Sequence, residues 1–158
     1  TFMDDLYVAD DTGGFTFLGD SRVDTIMPTG AGATTAWTPS TGSNYQNVDD
    51  TDIDDDSTYN SEADVNGVDT YAFGNLTALT AATIHAVAVN ICSRNDDADT
   101  HKHKAIARPA STDRESAEFT NTSSYKIYQA IWALNPEDSA AWEEADVNGS
   151  EFGIKLTA

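Results

Sequence analysis

The sequence predicts an all-β protein: a β-sandwich of jelly-roll type, with one long ordered loop and at most one short helix. Short runs of alternating apolar and polar residues recur along the chain. Turn compositions separate them at regular spacing, and only one segment reads as a helix. The 158 residues suit one domain over 1–158, long enough to bury a core without staples. Hydrophobic residues make up 39% of the chain, which excludes a wholly disordered polymer.

The strands are read in order. Phe2–Ala9 is a strand that ends at the turn Asp10-Asp11-Thr12-Gly13-Gly14. Phe15–Leu18 follows, and Ser21–Met27 is extended until Pro28, which cannot donate to a central ladder. Residues 29–58 are rich in Gly, Thr, Ser, Asn and Asp and read as the long loop. Trp37 and Tyr45 are its large apolar residues and are expected to pin it. Asp69–Phe73 is a strand closed by Gly74-Asn75.

Ile84–Cys92 is the strongest strand. Val87, Val89 and Ile91 line one face and Ile84, Ala86, Ala88 and Cys92 the other, so both faces are expected to be buried. His101–Arg108 is expected to pair back on it as a hairpin after the turn at 95–100. Tyr125–Leu134 alternates, with Tyr125, Ile127, Gln129 and Ile131 on one side. Pro136-Glu137-Asp138 opens the helix, covering 140–144 with Trp142 inward. Phe152–Leu156 closes the chain. The repeated pentapeptide Ala63–Gly67 and Ala145–Gly149 reads as recurring turn chemistry.

Charge narrows the partners. With 27 Asp and Glu against 8 Lys and Arg, the formal net charge is −19. A phosphate backbone is gripped mainly by Lys and Arg, so nucleic acid is excluded as a partner, and anionic membrane surfaces are repelled likewise. No stretch approaches the roughly 20 apolar residues of a membrane helix, so no membrane insertion is expected. Self-repulsion destabilises a compact acidic chain at low salt, and the Debye length shrinks to about 3 Å at 1 M. The composition therefore points to a saline habitat. The chain opens on Thr1, which fits a processed chain or a piece of a longer one. Cys92 is the only cysteine, so no intrachain disulfide forms; within its apolar run it reads as a small buried hydrophobe.

Two clusters invite a metal. Hard cations take roughly six to eight oxygen ligands, which Asp50, Asp52, Asp54 and Asp56 would help supply. The run starts like an EF-hand loop but has Asp55 at its sixth position and Ser61 at its twelfth, which excludes that motif. An irregular Ca²⁺ or Na⁺ site remains beside the plainer reading of a solvated acidic loop. His101-x-His103 would put two imidazoles on one strand face, either sharing a metal or continuing the polar surface of Lys102 and Lys104. No cofactor is required by any motif, and no nucleophile elbow, metalloprotease helix or phosphate loop occurs, so the chain does not read as an enzyme. Trp37 and Tyr45, in the loop, are the candidates for contact with a partner or a glycan. Three Asn-x-Ser/Thr triplets, at Asn75, Asn121 and Asn148, are glycosylation acceptors in a host that glycosylates.

Several segments together carry a resemblance: Asp4–Val8, Phe17–Val23, Pro28–Gly32, Trp37–Tyr45 followed by Val48-Asp49-Asp50, Asp69–Phe73 and Glu151–Ile154. They resemble structural proteins of the virions of tailed phages and related viruses, with a lectin-like β-sandwich in longer relatives. The resemblance implies a virion surface protein, a capsid decoration or a tail or fibre component, on the exterior of the particle. It implies other virion proteins and copies of itself as partners, and a host-surface glycan for a fibre. It also makes the chain either a piece of a longer protein, with 1–10 the last strand of a preceding domain, or a stripped-down relative. The alternative from the residues alone is a secreted carbohydrate-binding module, extracellular and Ca²⁺-dependent, with Trp37, Tyr45 and the Asp cluster as its site.

Overall fold

The structure, a computed structural model, describes residues 22–76 and 83–158. The strands expected at 2–9 and 15–18 lie outside those residues. The described chain is mostly antiparallel β with one short helix and no closed barrel. Its strands are β1 (Pro28–Thr35), β2 (Thr38–Pro39), β3 (Asn60–Ser61), β4 (Val68–Phe73), β5 (Val87–Ser93), β6 (Lys102–Arg108), β7 (Arg114–Glu115), β8 (Phe119–Thr120), β9 (Lys126–Trp132) and β10 (Glu151–Leu156). Helix α1 (Glu144–Gly149) precedes the last strand.

The main sheet runs β1-β4-β10-β6-β7, with β8 also pairing with β6. β10 has neighbours on both sides: Phe152 stands opposite Tyr71 and Ala107, and Ile154 opposite Asp69 and Ala105. One face of the sheet carries Tyr71, Ala105, Ala107, Phe152, Ile154 and Leu156, all buried. Over it lies a second layer, the β5–β9 ladder, in register from Val87↔Trp132 to Ser93↔Lys126. Val87, Val89 and Trp132 pack with Ala107, Phe152, Trp142 and Val147 in one core. Small residues at 105 and 107 let the layers approach, while Phe152 meets Phe73 edge-on with centroids 5.5 Å apart.

The opposite face of the main sheet is held by charge. Lys104 and Lys155 stand directly across from each other, where like charges repel. Glu115 of β7 bonds both, at 2.8 and 2.6 Å. Arg108, on the same face, pairs with Asp113 at 2.5 Å. Such half-exposed pairs contribute little individually, about 0–1 kcal/mol, but they neutralise this face.

Four expectations are corrected. Residues 29–35, expected in the loop, belong to strand β1: Gly32 permits close approach to Thr70 of β4, and the ladder shifts register twice. Pro28 is tolerated because it begins a strand paired with β4 alone among the described residues. β6 does not pair with β5; it pairs with β10, and β5 with β9, so long-range burial overrode the nearby turn. The second face of β5 is not buried, Ala86 and Ala88 being exposed. The helix falls at 144–149 rather than 140–144. A capping box between Glu143 and Asp146 starts it there, with Glu144 and Asp146 in the dipole-favoured first turn.

The repeated pentapeptide is a turn at 63–67, with Asn66 at φ 75°, and helix at 145–149, so its context decides. Trp142 does face inward, 3% exposed, its indole donating to the Trp132 carbonyl at 2.9 Å.

Gly153 sits where β4 comes closest. A Cβ there would run into the Asp69 carbonyl, and backbone on both sides leaves no room to yield. Gly153→Ala is expected to destabilise the protein by at least about 3 kcal/mol, read as the drop in urea midpoint at constant slope. Gly149→Ala, with nothing within 4 Å of the added carbon, is the control and should change little.

Candidate functional site

The segment between β1 and β4 is built around one buried carboxylate. Asp69 of β4 is fully buried. Its Oδ1 accepts from the Trp37 backbone N–H at 2.9 Å, and its Oδ2 accepts from Asn44 Nδ2 at 2.5 Å and from the Tyr71 hydroxyl at 3.0 Å. Asn60 donates to the Tyr71 hydroxyl and to the Asn44 carbonyl, at 3.1 and 2.9 Å. Asn47 donates to the carbonyls of Thr41 and Tyr59. Burial, then the adjacent Asp69, pushes the Tyr71 phenol far above its ordinary range, so it stays a donor. A segment poor in apolar residues is thus ordered by a network of polar groups, in which Asn47 Oδ1 is the one buried side-chain atom without a partner, rather than by a core of its own.

That scaffold presents the acidic run. Thr58 donates to Asp54 at 2.8 Å, and Asp55 holds a left-handed backbone, φ 55°. Asp56 accepts from Arg94 and from the Tyr125 hydroxyl, each at 2.8 Å, while the Arg94 guanidinium lies 5.2 Å from the Tyr125 ring centre. The Arg94 bond, then that of Tyr125, lowers the Asp56 carboxyl below its usual range. This clasp fastens the acidic run to one end of the β5–β9 ladder.

Between them lies an open cleft of about 430 Å³, lined by Ile53, Asp55, Cys92, Tyr125, Lys126 and Ile127. Ile53 is 54% exposed and Ile127 57%. Ile131, further along the same outward face of β9, is 61% exposed. Together these isoleucines give that strand face an exposed apolar surface. Cys92 is half-buried at the cleft rather than in the core, and burial, then Asp55, raises its thiol, which disfavours the reactive thiolate.

The sequence candidates separate in space. Trp37 is half-buried with its indole donating to the Gly67 carbonyl at 3.2 Å, and serves the polar scaffold. Tyr45 is half-buried in the 3₁₀ turn 44–47. Asp50 and Asp54 meet at Thr58, Asp56 turns to Arg94, and Asp52 is exposed. Among the described residues no three His, Cys, Asp or Glu groups converge as metal ligands. The two histidines do not share an exposed face. His101 lies before β6 and pairs with Asp97 at 3.1 Å, which raises its pKa. His103 is fully buried.

Asp69 and the Ile53–Ile127 cleft were not singled out in the sequence. A lone Asp opening a strand gives no sign of burial, and the cleft joins residues 74 positions apart.

Comparison with known proteins adds no likeness. No family model, no curated protein and no solved structure matches the chain.

His103 lies between Phe119, 5.5 Å away, and Tyr128, which meets it edge-on at 4.8 Å. Neither ring nitrogen has a hydrogen-bond partner. Burial lowers its pKa to about 4, only partly offset by nearby Asn121. The unfolded chain binds this proton near pH 6.5 and the folded chain does not. Stability is therefore complete above about pH 6.5 and falls as pH drops toward 4, by up to about 3 kcal/mol from this residue. In urea titrations from pH 7 to 4, wild type is expected to lose more stability than His103→Leu by that amount as pH falls. Parallel curves would show that the buried ring is not what titrates.

Proposed function

We propose that the protein is a structural subunit of a virion surface, a capsid decoration or a tail or fibre component, and works by assembly rather than catalysis. The observation that carries this reading is the outward face of the β5–β9 ladder. Ile131 stands exposed there, beyond the cleft that Ile127 lines, on a body whose charge of −19 otherwise favours separation. An apolar strand face on an acidic two-layer β body suits a subunit that meets copies of itself and other virion proteins on a particle exterior. A jelly-roll sandwich is the architecture we assign to it. Symmetric copies need only modest contacts each, because valency multiplies them. The acidic shell suits a particle in salty water, where screening removes most self-repulsion.

Light scattering and calorimetry in about 0.1 M and about 2 M NaCl, with and without Ca²⁺, test this. The expected result is an oligomer stabilised by salt and indifferent to Ca²⁺. Ile131→Ser should weaken association at least about tenfold while leaving the monomer's melting temperature nearly unchanged, as for an exposed position. A monomer at every salt concentration that gains stability only from Ca²⁺ would overturn the reading in favour of a secreted binding module.

A further inference from the structure

We infer that the cleft between the acidic run and the β5–β9 ladder docks a basic segment of a partner protein, which inserts one aliphatic side chain between Ile53 and Ile127. This rests on the assembly reading above and names the chemistry of the partner. Two properties of the cleft select that occupant. Its lining is largely apolar: Ile53 and Ile127 are more than half exposed, and Cys92 and Tyr125 join them, with Asp55 and Lys126 as the charged members. Covering such surface favours a complex once ordering costs are met.

Its rim is negative. Asp55 lines it, Asp56 is fastened beside it at Tyr125, and Asp49, Asp50, Asp52 and Asp54 belong to the same short run of chain. Of the two nearby bases, Arg94 is paired with Asp56, and Lys126, which lines the cleft, leans over the Tyr128 ring with its ammonium 5.0 Å from the centre, leaving, among the described residues, one free cation there against the acids of the run. Rim charge of one sign steers and selects an oppositely charged partner, and the apolar seat holds it. A second copy of this acidic chain would bring further negative charge to the same rim, so the occupant is a different, basic chain.

The probe is a blocked peptide with one leucine flanked on both sides by lysines. Its controls carry serine for the leucine, or glutamates for the lysines. Binding to the full chain is followed by isoleucine methyl NMR, which registers weak complexes. The leucine–lysine peptide should shift the Ile53 and Ile127 methyls and saturate. Both controls should bind at least about tenfold more weakly, and Ile53→Ser or Ile127→Ser should cost a similar factor.

Raising salt to about 1 M should weaken, without abolishing, the interaction. Equal binding of the serine and leucine peptides would overturn the proposal, leaving diffuse attraction only. So would shifts confined to other methyls, or no binding at all. If Ile127→Ser dissolves the salt-stabilised oligomer as Ile131→Ser does, the cleft is filled by a second copy and the proposal fails while the assembly reading survives. If the peptide binds as expected to a protein that never self-associates, the docking site stands and self-assembly is what fails.

Discussion

The Asp69 carboxylate is the constraint on which the functional end of the molecule depends. A buried carboxylate is costly unless its oxygens are filled, and here three donors fill them: a backbone N–H, an amide and a phenol. The donors come from Trp37, Asn44 and Tyr71, so satisfying one side chain fixes the exit from β1, the 3₁₀ turn and the neighbouring position on β4. Asn60 and Asn47 extend the same network to the return of the chain at β3. Each bond is worth about 1 kcal/mol net, and more where a charged group takes part; leaving a donor unfilled costs about 1–3 kcal/mol. The network is thus all-or-none in character, and it carries the acidic run to where Asp56 can reach Arg94.

The layers of the fold were legible in period-two alternation. Tyr128, Ala130 and Trp132 face inward and Ile127 and Ile131 outward, as their spacing on β9 requires. Pairing was not legible. Local turns suggested β5 with β6, whereas β6 found β10 through the burial of Phe152, Ile154 and Leu156, a contact nearly 50 residues away in sequence. β1 was hidden by its own composition, because Gly30, Gly32 and three threonines resemble a loop until a neighbouring strand approaches them. The helix boundary moved because Pro136 offers a start while Glu143 and Asp146 supply a cap. At the candidate site, the acidic run was conspicuous, but its destination was not: no local pattern says that Asp56 meets Tyr125, 69 residues on.

Charge is distributed as unevenly as structure. Five of the eight basic residues, Lys102, Lys104, Arg108, Arg114 and Lys155, lie on β6, β7 and β10, each paired with an acid. The sheet that carries them is nearly neutralised, and the excess negative charge falls on the remainder, the acidic run above all. Screened repulsion, an apolar strand face and an anchored acidic rim therefore follow from one allocation of residues. The sheet spends its cations on itself, and the loop end presents uncompensated acid beside exposed isoleucine.

The most direct test of this account is amide hydrogen exchange, residue by residue, in wild type and Asp69→Asn. The substitution keeps shape but replaces one acceptor oxygen with a donor, setting N–H against N–H within the network. The amides of Trp37, Ser40, Gln46 and Val48 are expected to exchange about ten- to a hundredfold faster, while those of β6 and β10 keep their protection. Unchanged exchange in 36–60, or acceleration by the same factor in every strand, would contradict the claim that this one carboxylate holds the site in place.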